Sequence, residues 1–355
     1  MDIHFNFKNN ILAKIDYMNT EKLQKVANQM VAKGKGILAA DESTPTCTKR
    51  FNSIGLESTD FSRNEYRNML FTTPNLEQYI SGIILFDETI RQHTIPSEGD
   101  LLTAIPFPKY LDKKGILTGI KVDTGAKDLA AKPEEKITEG LDNLRIRLIE
   151  YKKLGASFAK WRAVIKIKND SLPSKTCIHA NAHALARYAS LCQENDLVPI
   201  VEPEIIMDGS HDIKKCYEVT LSVLNIVFEK LSLFDVLLEG IVLKPNMIIS
   251  GNDSGFSDDP KQVADLTLKC LEKSVPKEVP GIAFLSGGQT SDVATQHLNL
   301  MNKTFQKNWN LTFSFGRALQ QDSLNIWKEH NKEKSQEKLL FRAKTNSLAC
   351  QGLID

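Results

Sequence analysis

The chain has 355 residues, of which 41% are hydrophobic and 25% charged, a composition typical of a folded globular protein and not of a disordered chain. Its 45 lysine and arginine residues nearly balance 44 aspartate and glutamate residues. The net charge of +1 therefore supplies no overall field for nucleic acid or an anionic membrane, and any anionic ligand must be bound by local basic groups.

The amino-terminal sequence and the later apolar runs predict where the protein resides. Residues 1–16, MDIHFNFKNNILAKID, mix charged and amide side chains with apolar ones and lack the continuous apolar core of a secretion signal. No later run approaches the roughly 20 apolar residues of a membrane-spanning helix. We therefore expect a cytoplasmic protein without membrane insertion.

The cysteine and histidine spacings argue against a metal site and a disulfide scaffold. The cysteines stand at positions 47, 177, 192, 216, 270 and 350, with no C-x-x-C pair, and we interpret them as reduced thiols. His179 and His183 are four residues apart, but the residues between them include no glutamate to complete a zinc-protease motif. A solvated helix face is the favoured interpretation, so we predict no metal.

Eight short apolar or β-rich runs recur along the chain with helical stretches between them. In order they are GILAADES, YISGIILFDE, LTGIKVD, ASFAKWR, VPIVEPE, GIVLKPN, GIAFLSGG and LTFSFGR. The amphipathic segments between them include residues 137–153, 181–195, 212–230 and 260–273, with apolar residues three and four apart. Residues 91–100 and 251–259 are predicted surface loops.

Apolar strands that alternate with helices predict a parallel sheet covered on its faces, since parallel strands require crossover helices. Eight such units without a compositional break predict an α/β fold, a single (β/α)₈ TIM barrel that occupies residues 1–355 as one domain. An amino-terminal extension is expected over about residues 1–20 and a carboxyl-terminal helix or tail over about 328–355, with a charged, solvated helix from 328 to 338 that extends toward 349. A doubly wound open sheet is the alternative, although GILAADES lacks the glycine fingerprint that would favour it.

The ends of the eight runs are unusually polar. In such a barrel the active site forms at the carboxyl ends of the strands. The polar and glycine residues there are Asp41, Glu42, Ser43, Asp87, Glu88, Lys121, Asp123, Lys160, Arg162, Glu202, Glu204, Lys244, Ser286, Gly287, Gly288, Gly316 and Arg317. One charged residue at a strand end is usually a helix cap or a solvated rim position. So many carboxylates and amines in one cup predict acid–base and amine catalysis, because converging charges perturb one another's protonation.

Strand periodicity and local composition distinguish some of these residues. Lys160 and Arg162 lie two apart, as do the glutamates of VEPE, so each pair can face the barrel mouth together. Lys244 stands in the apolar run GIVLKPN, where burial and a neighbouring cation such as Lys160 favour a neutral amine able to attack a ketone. The alternative is a structural lysine paired with a carboxylate such as Glu202.

The seventh and eighth runs predict a phosphate site. LSGGQTSD leaves a strand, turns on two glycines and enters a helix capped by Thr290 or Ser291. Glycine amides near a helix start bind anions, and barrels often place a phosphate after strands seven and eight. Arg317 follows Gly316 and can add a bidentate contact. Because glycine pairs often form simple turns, the phosphate site is predicted mainly from the position of this pair after the seventh of the eight runs.

With these residues in place, the sequence closely resembles the class I fructose-1,6-bisphosphate aldolases of animals and protists. The matching segments are GKGILAADEST, GIKVD, YKKLGASFAKWR, LARYASLCQEN, LVPIVEPEI, LEGIVLKPNM, FLSGGQ, LTFSFGRALQ and NSLACQG, from about residue 21 to 352. The order and spacing of LVPIVEPEI and LKPNM are highly specific.

The resemblance implies a glycolytic and gluconeogenic enzyme that reversibly cleaves fructose 1,6-bisphosphate into dihydroxyacetone phosphate and glyceraldehyde 3-phosphate. Lys244 would form the Schiff base, Glu202 would be the acid–base residue for its formation and hydrolysis, and Asp41 would deprotonate the hydroxyl that drives cleavage. Further implied site residues are Lys160, Arg162, Lys121 and Glu204. One phosphate would contact Ser286, Gly287, Gly316 and Arg317, and the other substrate end would lie near Ser43, Lys49, Arg50 and Lys121. The resemblance also implies no metal or organic cofactor, a homotetramer, and binding to actin or other cytoskeletal partners.

The sequence departs from the family pattern in three places. The family's tail ends in a tyrosine that takes part in enamine protonation, and nothing matching it follows residues 351–355, so turnover on the bisphosphate is expected to be weakened. Pro45 and Thr46 stand where glycine or small polar residues are commoner, which leaves the phosphate contacts there open. Phe315 replaces the usual tyrosine, a change expected to be mild.

Two other functions remain open at this point. One is a non-catalytic or weakly catalytic scaffold on the same fold, against which the retention of Asp41, Glu202 and Lys244 argues, since buried charges are costly. The other is a Schiff-base aldolase or transaldolase for another sugar phosphate. Arg50 and Lys121 favour a substrate that is charged at both ends.

Overall fold

The computed structural model describes residues 18–96, 103–168, 170–304, 308–329 and 331–354. The amino-terminal extension predicted over about residues 1–20 therefore lies almost wholly outside the described residues. The strands are β1 (Gly36–Ala39), β2 (Ile80–Leu85), β3 (Leu117–Lys121), β4 (Gly125–Asp128), β5 (Lys136–Glu139), β6 (Phe158–Ile165), β7 (Val198–Ile205), β8 (Val242–Leu243), β9 (Gly281–Phe284) and β10 (Asn310–Phe315).

Eight of these strands close into a parallel barrel in the order β1-β10-β9-β8-β7-β6-β3-β2, and the remaining two, β4 and β5, form an antiparallel hairpin. Each barrel strand overlaps one of the eight predicted runs. The predicted (β/α)₈ barrel is therefore confirmed, and the doubly wound sheet is excluded because an open sheet would leave two strand edges unpaired.

Helices surround the barrel and connect its strands. They are Thr20–Met30, Thr44–Asn52, Asp60–Phe71, Asp87–Ile90, Phe107–Lys113, Leu144–Leu154, Lys175–Glu194, Ile213–Leu233, Pro260–Ser274, Ser291–Thr304, Arg317–Trp327 and Lys332–Ala349, with 3₁₀ turns at Leu76–Gln78 and Leu238–Gly240. No helix in the described part of the chain combines the length and apolar character needed to cross a bilayer.

Three of the four helices predicted between the runs are confirmed, with small differences at their ends. Asp212 caps Ile213–Leu233 by accepting a hydrogen bond from the Lys215 amide, and Asp259 caps Pro260–Ser274 in the same way. Such caps satisfy amide groups that have no partner inside a helix. Residues 251–259 form a loop, as predicted, and the loop predicted over 91–100 is described only as far as residue 96.

The helix predicted over residues 137–153 is wrong in its first part. Residues 136–139 form β5, and the helix is limited to Leu144–Leu154. Gly140 and Asn143 have φ values of 124° and 56°, which a right-handed helix excludes. The apolar spacing alone did not predict this hairpin, because a short apolar run fits both the helix and the strand periodicity.

The charged carboxyl-terminal segment forms the helix Lys332–Ala349, which begins a few residues later than predicted. Leu339 and Ala343 are fully or almost fully buried on its inner face. This helix is therefore packed against the barrel's outer layer, and only part of its surface is solvated as predicted.

Glycines make room for aromatic rings among the barrel strands. A Cβ on Gly119 would lie 2.2 Å from the Phe158 ring, and one on Gly36 would lie 2.5 Å from the Phe313 ring. At the amino-terminal end, Leu23 and Met30 belong to the same buried cluster as Phe158. The barrel is consequently closed by packing at this end, and its open cavity lies at the carboxyl end.

Candidate active site

A cavity of about 690 Å³ opens at the carboxyl ends of the barrel strands. Every residue that the family resemblance implies for the site lines it: Asp41, Ser43, Lys49, Arg50, Lys121, Lys160, Arg162, Glu202, Glu204, Lys244, Ser286, Gly287, Gly316 and Arg317. Closure of the barrel brings these residues together, because each lies within a barrel strand, just beyond its end or in the helix that follows. The strand-end residues Asp87, Glu88 and Gly288 are not among the residues that line the cavity.

Four buried charges form a continuous chain at the centre of the cavity. Lys160 Nζ lies 3.1 Å from Asp41 Oδ2 and 3.2 Å from Glu202 Oε2, while Lys244 Nζ lies 3.1 Å from Glu202 Oε1. The relative exposures of Asp41, Lys160, Glu202 and Lys244 are 9, 5, 2 and 4%. Burial of two ammonium groups is compensated by two carboxylates, as buried charges require.

The strands explain how these side chains meet. Lys160 and Glu202 point inward from neighbouring strands β6 and β7, where Arg162 is the register partner of Glu202. Lys244 directly follows β8, and its amide donates a 2.8 Å hydrogen bond to Val201 O on β7. Asp41 follows β1, which β2 and β3 separate from β6, so its contact with Lys160 crosses the barrel mouth.

The two lysines change the ionisation of Asp41. Burial by itself raises the pKa of this carboxyl, but the charges of Lys160 and Lys244 outweigh burial and lower the pKa from 3.8 to about 2. Burial likewise opposes the charge on Lys160, whose pKa is nevertheless raised by Asp41 and Glu202. The Asp41–Lys160 pair is therefore charged on both sides at neutral pH.

Two further basic residues, Lys121 and Arg162, line the cavity beside their own carboxylates. Lys121 Nζ lies 2.7 Å from Asp123 Oδ1 and donates a 2.9 Å hydrogen bond to the Asp123 carbonyl. Arg162 forms an ion pair with Glu204. Both cations are partly exposed to the cavity and can contact an anionic ligand there.

The segment after β9 forms a tight turn at one side of the cavity. Gly287 and Gly288 have φ values of 44° and 78°, a pair that favours glycine, and the Gln289 amide donates a 3.0 Å hydrogen bond to Ser286 O. Thr290, one of the two predicted caps, accepts a hydrogen bond from the Val293 amide at the start of the helix Ser291–Thr304. We refer to Ser286–Gln289 as the glycine turn.

Gly316 and Arg317 stand beside the glycine turn, where β10 passes into the helix Arg317–Trp327. The glycine turn is also close to Lys244, since the Leu285 amide donates a 3.1 Å hydrogen bond to Pro245 O. One side of the cavity therefore combines a lysine amine with two helix starts and a guanidinium group, the features of an anion site.

The helix Thr44–Asn52 follows β1, the neighbour of β10, and contributes Lys49 and Arg50 to the cavity, with Ser43 preceding it. Arg50 pairs with Glu42, which also lies 2.7 Å from Arg67. Among the described residues, Arg50 Nε and Nη2 are buried without a hydrogen-bond partner. Two donors of this guanidinium are therefore unsatisfied.

Sequence reasoning did not select two of the acidic residues that line the cavity. Glu42 holds Arg50, and Asp123 holds Lys121 and accepts a hydrogen bond from the Gly125 amide. Both were visible as polar strand-end residues, and an acidic residue close in sequence to a selected base could have indicated that pairing.

The cysteines, His179 and His183 are not among the residues that line the cavity. The six cysteines are all described, all buried and not joined in disulfides. His179 and His183 are both exposed on the helix Lys175–Glu194, in agreement with the predicted solvated face.

The closed parallel barrel and its buried lysine–carboxylate chain define a TIM-barrel enzyme equipped for amine and acid–base chemistry. A family model described as fructose-bisphosphate aldolase class-I matches residues 22–355. A probable fructose-bisphosphate aldolase class 1 of Xanthomonas campestris is 54% identical over 338 residues, 94% of this chain and 99% of the relative. The cytosolic fructose-bisphosphate aldolase 4 of Arabidopsis thaliana is 52% identical over 322 residues, 90% of this chain and 80% of the relative.

A solved structure supports the same relationship. The fructose-bisphosphate aldolase of Plasmodium falciparum, in a ternary complex with TRAP and a small-molecule inhibitor, is 47% identical and superimposes with a TM-score of 0.90 over 94% of this chain and 95% of that chain. The chain therefore belongs to the class I fructose-bisphosphate aldolase family. It is accordingly a carbon–carbon lyase of the class that works without a metal ion.

Proposed function

We propose that this chain reversibly cleaves fructose 1,6-bisphosphate into dihydroxyacetone phosphate and glyceraldehyde 3-phosphate through a Schiff base on Lys244. The observation that carries the proposal is the contact of one buried carboxylate, Glu202, with both Lys244 and Lys160 inside the cavity. A carboxylate so placed can take a proton from one amine and return it to the reacting oxygen.

Schiff-base formation uses Lys244 and Glu202. The neutral amine of Lys244 adds to the C2 ketone of the open-chain sugar, and Glu202 protonates the departing C2 hydroxyl, which leaves as water. The product is an iminium ion that serves as the electron sink for the next step. Lys160, in contact with Glu202, stabilises the carboxylate that remains.

Cleavage uses Asp41. This carboxylate takes the proton of the C4 hydroxyl, the C3–C4 bond breaks, and its electron pair neutralises the iminium to form an enamine. Glyceraldehyde 3-phosphate leaves, and protonation and hydrolysis of the enamine release dihydroxyacetone phosphate. The pKa of about 2 keeps Asp41 ionised before substrate binds, although the same cations make it a weak base.

The barrel order supports an orientation for the substrate. Lys244 bonds C2 beside β9, so the phosphate on C1 falls near the glycine turn, Gly316 and Arg317. Lys121 lies on β3, three strands from β8, and faces the other end of the substrate together with Ser43, Lys49 and Arg50. Arg162 and Glu204 line the wall between these ends.

The proposal also covers the domain organisation, the oligomeric state, the cellular location and a second binding role of the protein. We expect one barrel domain over the whole chain, including residues 1–20 and 328–355, a homotetramer, and a cytoplasmic location, which the cytosolic Arabidopsis relatives support. Binding to actin or other cytoskeletal proteins is a secondary role in this proposal. It rests on family resemblance; the Plasmodium falciparum relative was crystallised in complex with TRAP.

The central experiment is borohydride reduction in the presence of dihydroxyacetone phosphate, followed by peptide mass mapping. In the wild type we expect one adduct, on Lys244. In Lys244→Met we expect no adduct and a turnover at least about 1000-fold lower, on the order of the loss of an essential nucleophile. The surface control Lys168→Met should behave as the wild type. An adduct on another lysine would overturn the site assignment, and activity lost on EDTA treatment would overturn the mechanism.

A comparison of substrates tests the identity of the sugar. Lys121 on β3 lies across the barrel from β9 and the glycine turn, and Arg50 also lines the cavity, so fructose 1,6-bisphosphate should be cleaved with a higher kcat/KM than fructose 1-phosphate. Equal values would instead favour a Schiff-base aldolase for another sugar phosphate. Absence of cleavage together with intact cytoskeletal binding would favour the scaffold.

A further inference from the structure

A buried histidine lies behind the glycine turn and outside the cavity. His297 is in the second turn of the helix Ser291–Thr304 and has a relative exposure of 4%. Its Nδ1 atom lies 2.6 Å from Gln289 Oε1. Gln289 Nε2 in turn donates a 2.9 Å hydrogen bond to Ser286 O. The three groups form a line from the helix to the turn.

The chemistry of these groups fixes the direction of each hydrogen bond. A carbonyl oxygen can only accept, so the amide nitrogen of Gln289 must face Ser286 O and its oxygen must face His297. His297 Nδ1 therefore carries a proton and donates it. Burial lowers the pKa of His297 to about 4, so the ring is neutral at neutral pH and holds this proton on Nδ1.

The line of hydrogen bonds acts on an amide group that lines the cavity. Ser286 O accepts hydrogen bonds from both the backbone amide and the side chain of Gln289, so the carbonyl faces Gln289, which is not among the residues that line the cavity. The peptide unit is planar and trans, so the Gly287 N–H points in the opposite direction. This amide donates no hydrogen bond to any of the described residues, and Gly287 lines the cavity.

We propose that His297 is a positioning residue for the phosphate contact: through Gln289 and the Ser286 carbonyl it orients the Gly287 amide toward the phosphate nearest the Schiff base. This inference deepens the proposed function and rests on it. His297 touches no substrate, and its effect is confined to the phosphate group. His297 has no effect on the amine chemistry at Lys244.

The test compares two carbonyl ligands that differ only in the phosphate. The measured value is the ligand concentration that gives half-maximal borohydride trapping. It is determined with dihydroxyacetone phosphate and with dihydroxyacetone, for the wild type, His297→Leu and His297→Asn. In His297→Leu the value for dihydroxyacetone phosphate should rise about tenfold, since one buried hydrogen bond is lost, while that for dihydroxyacetone stays unchanged. Asparagine keeps an N–H donor near the Nδ1 position, so His297→Asn should recover most of the loss.

Further variants separate a positioning effect from general damage. Gln289→Leu should reproduce the phenotype of His297→Leu, and the double variant should be no worse than either single one, because both act through one line of contacts. An equal loss with both ligands, no loss at all, full additivity, or failure of His297→Asn to recover would each overturn the inference.

A direct binding measurement distinguishes this inference from the proposed function. The dissociation constant of inorganic phosphate, followed by ³¹P NMR, requires no Schiff base. If the wild type formed no adduct on Lys244, the proposed function would fail, yet weaker phosphate binding in His297→Leu with recovery in His297→Asn would still support the positioning role. Unchanged phosphate binding in His297→Leu would overturn it whatever the trapping result.

Discussion

Lys160 Nζ lies 3.1 Å from Asp41 Oδ2, although 119 positions separate the two residues in sequence. The pair joins β6 to the segment after β1 across the barrel mouth. This contact, together with the charge of Lys244, holds the pKa of Asp41 at about 2 against the opposing effect of burial. Asp41 can therefore accept a proton throughout the neutral and mildly acidic range.

Replacing Lys160 with methionine should shift the balance at Asp41 toward the neutral carboxyl. Burial remains while the nearest cation is lost, so the pKa of Asp41 should rise from about 2, although Lys244 and Lys121 still oppose the rise. In the wild type, the stability contributed by ionised Asp41 is present above pH 3.8 and is lost as the pH falls through about 2. A ¹³C-carboxyl NMR titration measures the pKa, with Lys168→Met as control. An unchanged titration in Lys160→Met would contradict this account.

Glu202→Gln should slow Schiff-base formation by about 100-fold, the usual contribution of a positioned acid–base group. Glutamine keeps the shape of the side chain but can neither accept the Lys244 proton nor balance the two ammonium groups 3.1 and 3.2 Å away. The rate of borohydride trapping with dihydroxyacetone phosphate measures the effect. Glu229→Gln, an exposed change, is the matched control and should trap at the wild-type rate. Near-normal trapping in Glu202→Gln would assign the acid–base role elsewhere.

Arg342 connects the two helices that begin beside the proposed phosphate site. Its guanidinium pairs with Asp292 on Ser291–Thr304 and, at 2.7 Å, with Asp322 on Arg317–Trp327. Arg342→Met should lower the free energy of unfolding by about 1 kcal/mol, since both carboxylates are partly or largely exposed. Urea denaturation measures this change. Arg342→Lys should recover at most half, because an ammonium group lacks the planar fork; full recovery would show that charge alone matters.

Gly119→Ala tests the packing between the barrel strands. The added Cβ would lie 2.2 Å from the Phe158 ring, so the free energy of unfolding should fall by about 2 kcal/mol, the usual cost of overpacking. Phe158→Leu makes room for the methyl group. Thermal or urea unfolding of the double variant should then show a smaller loss than the sum of the two single losses. Simple additivity would indicate that the two residues do not compete for space.

Local sequence features predicted much of the architecture. The runs GILAADES and GIVLKPN are apolar until their last residues, and that pattern alone indicates a buried parallel strand with a polar end. The same reasoning failed over residues 137–143, where the apolar spacing of Ile137 suited a helix and the backbone instead forms β5. Positive φ values at Gly140 and Asn143 decide that case, and composition does not report them.

The sequence by itself determined the eight barrel strands and their polar ends, because burial and periodicity are recorded in consecutive side chains, and the family resemblance implied many of the residues that line the cavity. Only the tertiary structure decided which charges meet: Asp41 with Lys160, and Glu202 with two lysines. Such pairings depend on barrel closure and strand register, which bring distant positions within hydrogen-bonding distance and leave no periodic trace along the chain.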